Sequence, residues 1–199
     1  NRLKQSDGER DLGVIISSSG KPSEQCLAAA KKANRMLGLI KRNFKSRSKD
    51  VVVRLYKTLV RPRLEYCVQS WCPYLQKDIA VLEKVQRRAT KMILACRTDS
   101  YEDRLKYTEL TSLECRRRRG DMIEVFKLGL LNGVEKIDYN ILIQRAEKTG
   151  RRGHSYKLVK HRARLDLRKF YISNRVVNTW NSLPESVVVA GTVNSFKAR

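Results

Sequence analysis

Acidic residues are scarce in this chain: 20 Asp and Glu stand against 43 Lys and Arg in 199 residues, a formal net charge of +23. An inert structural domain has no need of such a surplus, which repels itself in the compact state and attracts polyanions by releasing their counterions. Long apolar runs are missing too. No window approaches 18 uninterrupted apolar residues, and the opening Asn1-Arg2-Leu3-Lys4-Gln5 lacks an apolar core, so neither a spanning helix nor a signal peptide is expected. That makes an anionic membrane the weaker partner and nucleic acid the stronger one, in an intracellular setting, nucleus and cytoplasm. Aromatics amount to only 7%. Tyr66, Trp71, Tyr74, Phe126 and Trp180 mostly sit where core packing accounts for them, which disfavours base stacking on single strands as the main mode.

The residues of most catalytic constellations are also missing. No Asp-Asp pair is present to converge on Mg2+, and the adjacent acids Glu102-Asp103 fall in the first turn of an expected helix, where they favour its dipole. No Gly-rich phosphate loop, His-Glu-x-x-His or Gly-x-Ser-x-Gly occurs. His154 and His161 have no acidic partner or nucleophile nearby in sequence, so both read as non-catalytic, although Arg151-Arg152-Gly153-His154 could grip a phosphate. Five scattered cysteines, Cys26, Cys67, Cys72, Cys96 and Cys115, read as reduced thiols that are buried or idle; only Cys67 and Cys72 are close in sequence, and no zinc set of tight ligand pairs forms. No cofactor, metal site or catalytic residue is expected. A first residue that is not Met suggests a piece of a longer protein.

A hydrophobic fraction of 41% is enough for a packed core. The expected fold is mainly α: a short hairpin or strand over 1–20, helices over most of the remainder, and one strand near 157–168. Leu12 to Ile16 reads as β, closed by Ser17-Ser18-Ser19-Gly20. From Pro22, apolar residues at Cys26, Leu27, Ala30, Ala33, Leu37, Ile40 and Phe44 mark one helical stripe. Asp50 caps a second helix that Pro62 breaks or kinks, and a third runs from about Lys77 to Ala95. Ser100 and Asp103 form a capping box for a short helix to Leu110, and Ser112 starts a longer one ending at Asn132-Gly133. Val159, His161, Ala163, Leu165 and Leu167 alternate with charged residues, the rhythm of a strand with one basic face. A last helix covers roughly Tyr171 to Asn181, with a partial one at Phe196.

The basic residues cluster. Lys31, Lys32, Arg35 and Arg42 lie on the first helix, Arg61 and Arg63 flank Pro62, Arg87, Arg88 and Lys91 lie on the third helix, and Arg116-Arg117-Arg118-Arg119 covers every face of a turn. With the overall charge, these and Arg151 and Arg152 read as phosphate contacts rather than as a merely solvated surface.

Several segments in order carry a family resemblance: Asp11-Leu12-Gly13-Val14-Ile15-Ile16; Ala29 to Gly38 (AAKKANRMLG); Leu55 to Tyr66 (LYKTLVRPRLEY); Leu82 to Lys91 (LEKVQRRATK); Ser112-Leu113-Glu114 with the arginine run; and Arg175 to Pro184 (RVVNTWNSLP). Together they resemble the region after the catalytic palm of non-LTR retrotransposon (LINE, jockey-like) reverse transcriptases. The resemblance implies the end of the palm at 1–20, a helical thumb at 21–97 and a C-terminal helical domain at 98–199. It implies partners as well: RNA, DNA or RNA–DNA hybrid held through the phosphates, and the upstream palm and endonuclease domains of a parent polyprotein. The family's catalytic aspartates match nothing here, so the expected role is supporting RNA-directed DNA synthesis without performing it. A transposon-derived module that binds a protein or a ribonucleoprotein is the other reading.

Overall fold

A computed structural model describes residues 6–96, 98–130, 143–146 and 153–199. The chain is mainly helical, with an antiparallel two-strand hairpin at its start. Two compact units divide between Arg117 and Arg118.

In the first unit β1 (Gly8–Asp11) pairs with β2 (Val14–Ser17), Glu9 opposite Ile16 and Asp11 opposite Val14. Leu12 and Gly13 both have positive φ, 44° and 86°, the geometry of a two-residue hairpin turn, so Leu12 is turn and not strand as its β-rich neighbours suggested. The Tyr66 hydroxyl donates to the Leu12 carbonyl at 2.9 Å, and the Ile15 N–H donates to the buried Gln25 side chain at 2.9 Å. These two bonds tie the hairpin to the helices beneath it.

Helix α1 (Ser23–Asn43) buries Cys26, Ala29, Ala30, Ala33, Leu37 and Ile40. Leu27 and Phe44, expected on that stripe, are exposed: Gln25 and Ala29 are buried residues on either side of Leu27, and Phe44 follows the last helical residue in extended backbone. Ser48 stands at the cap position of α2 (Lys49–Leu55), and Asp50 lies in the first turn. Pro62 does not end this run. A π-helical turn (Tyr56–Val60) precedes it and α3 (Arg61–Glu65) continues through it. The Arg61 N–H reaches back five residues to the Tyr56 carbonyl, and the widened turn gives room for a ring that lacks an N–H.

After α4 (Val68–Trp71), α5 (Gln76–Thr90) packs against α1. Ser23 Oγ donates to Asp78 Oδ2 at 2.7 Å near the start of both helices. Further along both, Arg88 Nη1 donates to Asn34 Oδ1 at 3.0 Å. Matching residues advance together, so α1 and α5 run parallel, and α1 continues about two turns past the end of α5. Helix α6 (Tyr101–Thr108) carries the expected cap, Ser100 Oγ accepting from the Asp103 N–H at 3.2 Å. Its Tyr101 joins a buried polar network: Tyr56 O–H donates to Gln86 Oε1 at 2.6 Å, and Gln86 Nε2 donates to Tyr101 Oη and the Thr111 carbonyl, both at 3.0 Å. Glu83 accepts from Tyr101 O–H and, at 3.1 Å, from the N–H of Leu113, the first residue of α7 (Leu113–Leu130). The expected end at Asn132-Gly133 lies outside the described residues.

The second unit packs Met122, Val125 and Phe126 of α7 with Leu158, Val176, Val177, Trp180, Val188 and Phe196. Its short helices are α8 (Asp166–Lys169), α9 (Ile172–Arg175), α10 (Val177–Asn181), α11 (Glu185–Val188) and α12 (Val193–Ala198). The expected strand near 157–168 is reduced to a single bridge, Arg145 to Leu158. Asparagine side chains stand where a neighbouring strand would. Asn181 accepts from the Leu158 N–H at 2.9 Å and donates to its carbonyl at 3.0 Å, and Asn174 accepts from the His161 N–H at 3.2 Å. With those backbone groups satisfied, no ladder is needed, and the alternating Leu165 and Leu167 are exposed instead of buried. His161, placed on the apolar side by its rhythm, is exposed as well.

Gln86 is fully buried between three partners. Gln86→Leu strands the Tyr56 hydroxyl and the Thr111 carbonyl and is expected to cost about 1–3 kcal/mol, read as a lower urea midpoint at unchanged slope.

Candidate nucleic-acid interface

The parallel pairing of α1 and α5 has an electrostatic consequence. Each helix C-terminus carries about −0.5 elementary charge, which cations in and after the last turn offset. Lys41 and Arg42 lie in the last turn of α1, Arg87 and Arg88 in the last turn of α5, and Lys91 follows immediately. Arg47 folds back so that Nη2 donates to the Lys41 carbonyl at 2.7 Å, with Nη1 reaching the Phe44 carbonyl. Acids keep to the other end: Glu24 and Asp78 occupy the first turns. Two helix ends account for about one unit of negative charge, whereas six formal cations gather there, so most of the positive charge is left uncompensated.

Lys41, Arg47, Arg88 and Lys91 rim a groove of about 590 Å³ formed by Asn34, Leu37, Gly38 and Lys41 from one side and Arg88, Lys91, Met92 and Leu94 from the other, with Arg47 at the end. Asn34, Leu37, Gly38 and Lys41 recur at helical spacing and so form one stripe of α1. Gly38 leaves the stripe open, and a Cβ there would lie 3.8 Å from Arg42 Nη1, which extends over it. Among the described residues no acidic side chain lines the groove. The sequence accounts for this, since Glu24 to Asp50 and Glu83 to Asp99 enclose two stretches with no Asp or Glu, and the fold brings those stretches together.

Among the residues singled out by the sequence, Arg88 and Lys91 line the groove and Arg42 overhangs it. Lys31, Lys32 and Arg35 are exposed on the preceding turns of α1. Lys32 and Arg63 also flank a smaller recess of about 320 Å³ beside Gly13 and Tyr66. Arg63 Nε donates to the Leu59 carbonyl at 3.1 Å, and Arg61 is ion-paired with Glu65 at 3.8 Å. Arg87 lies flat over the Tyr101 ring, 4.0 Å from its centre, and so stabilises the packing of α6 while staying exposed. Lys41 and Arg47 were not among the singled-out residues. The absence of acids around them was the available signal.

The four consecutive arginines do not act as one clamp. Arg116 is half-buried and forms a paired contact with Glu65, Nη2 to Oε2 at 3.0 Å, which holds its guanidinium charged. Arg117 is 4% exposed, and its Nη2 has no hydrogen-bond partner among the described residues. Arg118 and Arg119 are exposed, and Arg119 Nη2 donates to the Lys197 carbonyl at 2.8 Å. One turn of helix points in every direction, so four adjacent side chains meet four surroundings. Arg151 and Arg152 lie outside the described residues. His154 is buried; its Nδ1 accepts from the Tyr156 N–H at 3.2 Å and its Nε2 faces the Trp180 carbonyl at 3.0 Å, the tautomer with the proton on Nε2. Tyr66, read as core, is exposed, because its hydroxyl is used on the hairpin turn.

Among the described residues no group of three or more His, Cys, Asp or Glu is placed to hold a metal ion, and no helix is long and apolar enough to cross a membrane. Comparison with family models, with curated proteins and with solved structures gave no match.

The cysteines differ sharply. Burial, with Asp78 nearby, pushes the Cys26 thiol up to about 12, while Cys67 and Cys115 are exposed. Because the thiolate is the reactive form, alkylation at pH 8 is expected to label Cys67 and Cys115 in the folded chain, and Cys26 only after denaturation. Mass spectrometry of the labelled peptides, with and without guanidinium, reads this directly.

Proposed function

We propose that this chain is a nucleic-acid-binding unit, the thumb and C-terminal region of a LINE-type (jockey-like) RNA-directed DNA polymerase, and that its α1–α5 groove holds a template–primer duplex by the phosphates. The observation that carries the reading is the groove itself: Lys41, Arg47, Arg88 and Lys91 around an opening that, among the described residues, no acidic side chain lines. An inert protein gains nothing from concentrating like charges there, whereas each phosphate neutralised releases condensed counterions. The Asn34 side-chain amide adds a neutral donor, and Gly38 adds room for close approach, without reading bases.

Two further features support the assignment. The β1 strand is exposed along its whole length, so one hairpin edge is open to the sheet of an upstream palm, the partner implied by the family resemblance. The ordered segments behind that resemblance also fall on structural joints: Leu55 to Tyr66 contains the π turn and Pro62, and Leu82 to Lys91 contains Gln86 and the groove cations. The reading assigns the chain no chemical step of its own. It places the polymerase aspartates and the endonuclease in the parent protein.

Lys41 and Lys91 are both exposed and in no ion pair among the described residues, so their replacement disturbs charge more than structure. For Lys41→Ala/Lys91→Ala the slope of log K against log salt on RNA–DNA hybrid or duplex DNA is expected to become shallower by about 2, with stability within about 0.5 kcal/mol of the parent. An unchanged slope sinks the groove reading. Saturable, salt-insensitive binding to a protein partner would move the interaction-module reading ahead.

A further inference from the structure

We infer that the segment Lys160 to Tyr171 of the second unit is a contact surface for a single nucleic-acid strand, a site with different chemistry from the duplex groove. Four observations meet there. Lys160, Arg162 and Arg164 are exposed at alternate positions of an irregular segment, so three cations stand within five residues along the chain. Arg168 and Lys169 extend the series on α8, and the only acid within it is Asp166. Arg162, Arg164 and Arg168 are in no ion pair among the described residues.

Apolar and aromatic surface lies among these cations. Leu165 is 71% exposed, Leu167 55% and Tyr171 43%. Cations that follow a backbone, with a half-exposed ring and apolar side chains beside them, match what unpaired bases require; a duplex hides its base faces and offers them nothing to cover. The segment is also held in place. Asn174 accepts from the His161 N–H at 3.2 Å and donates to the Arg168 carbonyl at 3.0 Å, and Asn178 receives Lys160 Nζ at 3.1 Å. The backbone is thereby fixed from the inner side while the arginines point outward, so little ordering remains to be done on binding.

The test uses the full chain and labelled, unstructured 20-nucleotide strands of one sequence, as RNA and as DNA, followed by fluorescence anisotropy at several salt concentrations. Arg162→Ala/Arg164→Ala/Arg168→Ala is expected to make the single-strand slope shallower by about 2 while leaving the duplex slope in place, and the matching lysine triple variant is expected to keep the parent slope. Tyr171→Ala is expected to weaken single-strand binding about fivefold without changing the slope. The RNA and DNA arms tell which backbone is preferred. Unchanged single-strand binding in the alanine triple variant overturns the inference, as does equal loss in the lysine variant. It is also overturned if the triple variant keeps strand binding and loses binding to phosphatidylserine vesicles. The inference is independent of the groove, whose failure registers in the duplex slope of the Lys41/Lys91 variant.

Discussion

Parallel packing of α1 and α5 is the constraint on which the first unit depends. Neighbouring helices joined by a short loop run antiparallel and let their dipoles cancel; here some thirty residues of α2, the π turn, α3 and α4 carry the chain back to the starting end, and the dipoles add. Hydrophobic burial along the Ala29, Ala30, Ala33 and Leu37 stripe against Leu82, Val85 and Ala89 holds the pair together. The small alanines let the backbones come close. The electrostatic cost is met by Glu24 and Asp78 at one end and by the lysines and arginines at the other. A groove of one sign therefore follows from the topology, and its depth follows from Gly38.

The second unit solves a different problem with a different device. Among its described residues the helices are only four to six residues long apart from the end of α7, too short to be stable by propensity. A central Trp180, buried between His154 and Phe196, and the side chains of Asn174 and Asn181 take over. Trp180 Nε1 donates to the Tyr156 carbonyl at 2.8 Å and its own carbonyl faces His154, so one residue closes both faces of the same loop. Arg175 and the buried Asp121 add a two-point ion pair, 2.8 and 2.9 Å, between α9 and α7. Breaking one partner of such a pair leaves the other charged in a dry site, so the pair enforces this arrangement more than it stabilises it.

The positive charge thus falls into two populations. Arg104, Arg116, Arg117 and Arg175 are absorbed by the structure, through Thr90, Glu65, burial and Asp121 respectively. The groove residues and the Lys160 to Lys169 series face solvent. Net charge alone gives both populations equal weight. Burial separates them, because desolvating a guanidinium is tolerated only where partners or packing require it.

The sequence by itself determined the class of fold, the starts of α1, α6 and α7 and the sign of the charge. Ser100 and Ser112 announce their helices, the stripe from Cys26 to Ile40 announces α1, and the paucity of acids announces a basic surface, because caps, periodicity and composition are local quantities. The tertiary structure decided what local quantities cannot hold. It turned Leu12 into a hairpin turn and let the chain continue past Pro62 by widening one turn. It replaced the strand expected at 157–168 with asparagine side chains that satisfy its backbone, leaving Leu165 and Leu167 in solvent. It dispersed the arginine run, since adjacent residues on a helix point a hundred degrees apart. The groove was written in the sequence only as two acid-free stretches; that they meet is decided by the direction in which α5 returns beside α1.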